Sequence, residues 1–123
     1  MRVAYDKLVR DRIPEIIELR GDRPVTRVLD DATYRAALLA KLVEESEEAR
    51  QATAADLPGE LADVLEVLHA LTASAGLTWD QMEAAAAAKR ARRGGFGKRL
   101  FLEYVEQAGG HGSPPPASPR LDP

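Results

Sequence analysis

Apolar residues recur along the chain at helical spacing, in blocks separated by Gly, Pro and Asp. In residues 32–52, Leu38, Leu42 and Ala49 fall on one line, with Tyr34 one turn earlier. Glu45, one turn after Lys41 and beside Leu42, sits at the edge of that stripe. Asp30 and Asp31 are natural N-caps for this helix. Residues 58–75 carry a wide apolar face of Leu61, Val64, Leu65, Leu68 and Leu71, and Asp56 and Pro58 suit the start of a helix. Gly76 ends it. Thr78-Trp79-Asp80-Gln81 reads as a capping box for a further helix over residues 79–93, whose alanines at 84–88 favour helix and close packing. Upstream, Pro14 and Gly21 bracket a short helix within residues 5–21. The segment at 22–29 reads as extended. Residues 96–106 fit a helix through Leu100, Phe101, Tyr104 and Val105, or a strand through Leu100, Leu102 and Tyr104. The pattern predicts an all-α helical bundle of about four main helices with a short N-terminal segment, and a helical domain of this size often completes its core by oligomerisation.

Composition narrows the classes. At 123 residues one domain is the simplest reading, over residues 1–106. From 107 the sequence turns to Gly, Ser and Pro, the composition of a disordered tail. There is no cysteine, which excludes disulfides, thiolate zinc sites and a Cys nucleophile. The N-terminus is too charged for a signal peptide, and no run approaches the ~18 apolar residues of a membrane helix. A soluble cytoplasmic protein without membrane contact is expected. The net charge of -3 gives no global pull toward nucleic acid, so a nucleic-acid partner is not expected. The charge is uneven, however. Acid dominates 44–48 and base dominates 89–99.

The acidic residues form two clusters. Lys41-Leu42-Val43-Glu44-Glu45-Ser46-Glu47-Glu48 holds Glu45 and Glu48 three apart, and Glu60-Leu61-Ala62-Asp63 repeats the spacing. Residues three apart share a helix face. A tight turn between the helices makes them antiparallel neighbours, so four carboxylates can converge near the connected end of the hairpin. An acidic helix face is ordinarily a solvated one. Here the like-charge neighbours Glu44/Glu47, Glu44/Glu48 and Glu45/Glu48 each cost roughly 0.2–0.5 kcal/mol. Lys41 offsets part of this, and a bound cation would remove the rest. An all-carboxylate set suits Mg2+, or Mn2+, more than zinc. Such a metal would neutralise phosphate charge while a carboxylate takes a proton from an attacking water.

The basic residues Lys89, Arg90, Arg92, Arg93, Lys98 and Arg99 surround Gly94-Gly95-Phe96-Gly97. They complement a helix C-terminus, and they also suit a phosphate clamp. Lys7, Arg10 and Arg12 offer a second cationic group. No P-loop is present. His69 reads as a helix-face histidine, His111 lies in the tail, and Ser46 lacks a histidine base.

With these motifs in order, the chain resembles the MazG-like, all-α nucleoside triphosphate pyrophosphohydrolases. Glu44-Glu45-Ser46-Glu47-Glu48 followed by Glu60-Leu61-Ala62-Asp63 matches their ExxE…ExxD pattern. Tyr5-Asp6-Lys7-Leu8-Val9-Arg10-Asp11-Arg12-Ile13-Pro14-Glu15-Ile16-Ile17 and Lys89-Arg90-Ala91-Arg92-Arg93-Gly94-Gly95-Phe96 look like the phosphoribosyl-ATP pyrophosphohydrolase-like branch. The likeness covers residues 4–105. It implies Glu45, Glu48, Glu60 and Asp63 as Mg2+ ligands, with Glu44 as a base or additional ligand and Glu45 also assigned to the catalytic centre. It implies that Lys41, Lys89, Arg92 and Arg93 meet the triphosphate, and Lys7 and Arg10 can join them. The implied reaction splits a nucleoside triphosphate between the α- and β-phosphates, giving the monophosphate and pyrophosphate, in a homodimer or larger assembly. The block from Lys7 to Ile17 departs from the usual phosphoribosyl-ATP enzyme pattern. A house-cleaning role is therefore favoured over phosphoribosyl-ATP hydrolysis in histidine biosynthesis. The rival from another class is a non-catalytic helical dimer acting as an interaction module.

Overall fold

In a computed structural model of the chain, residues 1–108 are described. They form α1 (Ile13–Leu19), α2 (Asp31–Gln51), α3 (Leu57–Ser74) and α4 (Trp79–Arg93), with no strand among the described residues. The chain divides into two compact units, Met1–Met82 and Glu83–Pro123. The first holds α1, the α2/α3 hairpin and the first turn of α4. No single described helix is long and apolar enough to cross a membrane.

Local chemistry sets most of the boundaries. Asp30 caps α2 by accepting from the Thr33 amide at 2.8 Å, and this bond lowers the carboxyl's pKa. Asp31 opens the helix. Asp56 makes no side-chain cap for α3, which starts instead with Pro58 in its first turn. The box at α4 closes reciprocally: Thr78 Oγ1 accepts from the Gln81 amide at 3.1 Å, and Gln81 Oε1 accepts from the Thr78 amide at 2.9 Å.

The end of α3 depends on a glycine. Leu77 N–H reaches back to the Thr72 carbonyl at 3.1 Å and Gly76 N–H to that of Ala73 at 3.0 Å, with Gly76 at φ +77. This is a Schellman closure, which needs a left-handed residue at its turn. A Cβ on Gly76 meets nothing within 4 Å, so the cost of adding one is backbone strain alone. Gly76→Ala should lower stability by about 1–2 kcal/mol, measured as the urea midpoint.

Helix α2 packs on α3. The interior stripe of α2 runs through Tyr34, Leu38, Leu42, Glu45 and Ala49, with Leu38 3% exposed. That of α3 runs through Glu60, Asp63, Val64, Val67, Leu68 and Leu71, with Val67 the most buried apolar side chain. Thr72 is also buried, its hydroxyl satisfied by the Leu68 carbonyl at 2.7 Å. One part of the predicted α3 face is corrected. Leu61 and Leu65 are 52% and 45% exposed, and Val67 takes the inward position. Helix α3 is apolar on more than one side, so spacing alone does not say which side meets α2.

Residues 96–106 form neither the helix nor the strand the sequence permits. Phe96 and Phe101 are exposed, as are Leu100, Leu102, Tyr104 and Val105. Most of the predicted disordered tail, and His111 with it, lies outside the described residues.

Candidate metal centre

The two interior stripes share a peculiarity. Toward the turn that joins α2 to α3, each carries carboxylates instead of aliphatic side chains, Glu45 buried and Glu60 and Asp63 half-buried. Glu45 follows Leu38 and Leu42 on one helix, and Glu60 and Asp63 precede Val67 and Leu71 on the other. Glu45 is only 6% exposed, deeper than the stripe-edge position its spacing suggests.

Glu45, Glu60 and Asp63 can each place one carboxylate oxygen within 4.8 Å of the others. Glu45 Oε2 and Glu60 Oε2 are buried and have no hydrogen-bond partner. A buried carboxylate oxygen without a donor is costly, and such groups call for an account. A hard cation is the partner that would satisfy all three residues at once, because the donor set is entirely oxygen.

Glu48, the fourth predicted ligand, stands beside this trio and outside it. It is exposed, and its carboxyl pKa is raised. The largest cause is hydrogen bonding to Glu45. The charge on Glu45 adds to it, with smaller contributions from burial, Glu60 and Glu44. Glu48 therefore senses the same negative field. A raised carboxyl favours the folded state most when protonated. That contribution is present below the ordinary value of 4.5 and is lost as pH rises through the raised value. In chelator, the thermal midpoint of the protein should fall across that window, and Glu48→Gln should flatten the fall. Glu47, by contrast, turns to local surface partners, Gln51 at 3.0 Å and Arg50 at 3.7 Å.

Cations already lean on the cluster. Lys41 Nζ is 3.2 Å from Glu45 Oε1 and 3.7 Å from Glu44 Oε1. Lys7 Nζ is 3.8 Å from the same Glu44 oxygen. Arg10 Nη2 donates to Asp63 Oδ1 at 2.7 Å. So three residues expected on phosphate, Lys7, Arg10 and Lys41, are found on carboxylates. The Arg10–Asp63 bond spans 53 residues, and no local pattern announces it. Arg12 turns instead to Glu15 at 3.4 Å.

Lys89, Arg92 and Arg93 are exposed on the last turns of α4, in the second unit. There they complement the carbonyl end of the helix. An open cleft of about 640 Å³ lies elsewhere, lined by Asp31, Ala32, Tyr34, Arg35, Ala73 and Ser74. It is at the far end of the hairpin from the acidic trio, and Arg35 there donates to the Ser74 carbonyl at 3.1 Å.

Comparison with known proteins adds one relative. An uncharacterized protein of Mycolicibacterium smegmatis (strain ATCC 700084 / mc(2)155) is 56% identical over 50 residues. The match covers 41% of this chain and 51% of the relative, so the chain spans about half the length of the curated relative it matches. No family model and no solved structure matches the chain.

Proposed function

We propose that the chain is a Mg2+-dependent nucleotide pyrophosphohydrolase of the MazG-like kind, acting in the cytoplasm. The observation that carries this reading is the trio Glu45, Glu60 and Asp63, converging from two facing helices, with Glu45 buried, the other two half-buried and two carboxylate oxygens lacking partners. Natural sequences break the rule of an apolar interior chiefly where function requires it. The resemblance of the acidic and basic blocks to that family supplies the reaction.

In this reading Glu45, Glu60 and Asp63 hold Mg2+, with Mn2+ able to replace it, and Glu48 flanks them. When bound, the metal supplies charge neutralisation at the phosphates as pyrophosphate leaves. Glu44, beside Lys41 and Lys7, takes the proton of the attacking water. Lys7, Arg10 and Lys41, beside these carboxylates, are the cations this reading gives to phosphate, and the resemblance to the family assigns Lys89, Arg92 and Arg93 of α4 the same role. The substrate is a nucleoside triphosphate in a house-cleaning role. Pyrophosphate release should be measured across ribo- and deoxyribonucleoside triphosphates and phosphoribosyl-ATP. Release from triphosphates is expected, and release from phosphoribosyl-ATP alone would assign the enzyme to that substrate instead.

A specific observation favours self-association in the same reading. Leu57, Leu61 and Leu65 recur every fourth residue on α3, and all are exposed, at 37%, 52% and 45%. Burying each against a second copy would contribute up to about 1.5–3 kcal/mol. Leu65→Glu should convert a homodimer to monomer in sedimentation analysis. A monomeric parent protein would remove this face from the account.

A further inference from the structure

The cations on the acidic trio and the adjoining Glu44 are not equivalent. Lys41 belongs to α2 itself, one turn from Glu45, and is a fixed part of the cluster. Lys7 and Arg10 arrive from a segment ahead of α1 that has no helix of its own. Its Leu8 and Val9 are half-buried, while Lys7 and Arg10 reach the acids. Asp6 is left-handed at φ 46, a conformation Asp tolerates better than most residues, and Lys7 Nζ lies 6.0 Å from the Tyr5 ring centre. The segment thus lies as a strap, fastened by side-chain ion pairs.

Arg10 occupies Asp63 Oδ1 with a short, charge-assisted bond. The same carboxylate is one of the three that the proposed function assigns to Mg2+. A guanidinium on that oxygen and a divalent cation on the same group repel one another and compete for its lone pairs. The pair is partly exposed, at 56% and 41%, so releasing it costs little.

We propose that Arg10 is an exchangeable counterion of the metal centre. It neutralises Asp63 in the metal-free protein, leaves when Asp63 becomes a ligand, and once released binds substrate phosphate. Lys7 moves with it from Glu44. The inference rests on the metal reading of the trio and deepens it. It gives the N-terminal strap a role in coupling metal loading to nucleotide binding, since the arginine fork suits phosphate as well as carboxylate.

The test is Mg2+ affinity by calorimetry, without nucleotide, for the full chain and its variants. Arg10→Ala should bind Mg2+ about two- to fivefold more tightly than the parent, the scale of an exposed ion pair. Lys7→Ala should shift affinity the same way by less. Arg12→Ala, whose partner is Glu15, should match the parent. Arg10→Ala should also raise KM for a nucleoside triphosphate with little change in kcat. In the parent protein, Mg2+ should speed tryptic cleavage after Arg10 and Arg12 as the strap is released. Unchanged or weaker Mg2+ binding in Arg10→Ala, or slower cleavage with Mg2+, would overturn the counterion role and leave the metal reading standing. Absence of Mg2+ binding in both parent and variant would remove the metal reading, and the exchange with it.

Discussion

Glu60→Gln should cut pyrophosphate release severely and at the same time stabilise the metal-free protein. Both effects follow from one atom. Glu60 Oε2 is buried without a partner, beside Glu45 and Asp63. An amide keeps the shape of the side chain and removes its charge, so the repulsion in the cluster falls. The amide N–H also offers a donor to the neighbouring Glu45 carboxylate, and satisfying a buried group is worth about 1–2 kcal/mol, or several degrees in the thermal midpoint of a small domain. Turnover should drop by about two to three orders of magnitude, the scale for losing one preorganised electrostatic contact. Mg2+ should raise the midpoint of the parent and leave that of Glu60→Gln unchanged, because only a ligand that binds the native state stabilises it. Asp63→Asn gives the contrast. It should lose turnover to the same degree without the gain in stability, because Asp63 already has Arg10 at 2.7 Å. Equal turnover in parent and Glu60→Gln would take Glu60 out of the site. Turnover and the midpoint in chelator, measured on the same preparations, decide the matter.

Leu38→Ala should unfold a large fraction of the protein's stability margin. Leu38 and Val67 are the buried hydrophobic residues among those described, and their apolar stripe neighbours Tyr34, Leu42, Val64, Leu68 and Leu71 are only half-buried. Few other apolar contacts are present to absorb the loss. Truncating a buried leucine typically costs about 2–5 kcal/mol, against a total stability of about 5–15 kcal/mol for a domain. Leu39→Ala, one residue along but 51% exposed, should cost less than about 1 kcal/mol. Urea unfolding of the two variants separates them. Similar midpoints would mean that the α2 stripe is turned differently from the one described.

The helix ends were legible in the sequence because their chemistry is local. Asp30 caps within three residues, Thr78 and Gln81 bond each other, and Gly21 and Gly76 take the left-handed turn. Three of the four carboxylates that the spacing brings together, Glu45, Glu60 and Asp63, do converge, while Glu48 stands outside them. The spacing of Glu60 and Asp63 fixes their common face, and a short turn brings that face to Glu45. Less of α3 could be read, because Leu61 and Leu65 have the same spacing credentials as Val67. Packing on α2, a tertiary fact, chooses between them. The strap contacts were the least legible. Arg10 and Asp63 meet across 53 residues, and an arginine near an acidic site looks the same in sequence whether it serves phosphate or carboxylate. Residues 96–106 combine helical and alternating spacing, and the chain adopts neither.

In the proposed function, the carboxylates of the α2/α3 hairpin serve a metal-dependent hydrolysis between the α- and β-phosphates of a nucleotide. Phosphorus NMR of a nucleoside triphosphate incubated with the full chain tests it most directly, with Mg2+ and with chelator. Monophosphate and pyrophosphate in equal amounts are expected with Mg2+, and unreacted triphosphate in chelator. Diphosphate with inorganic phosphate, or intact triphosphate in the presence of Mg2+ and folded protein, would contradict it.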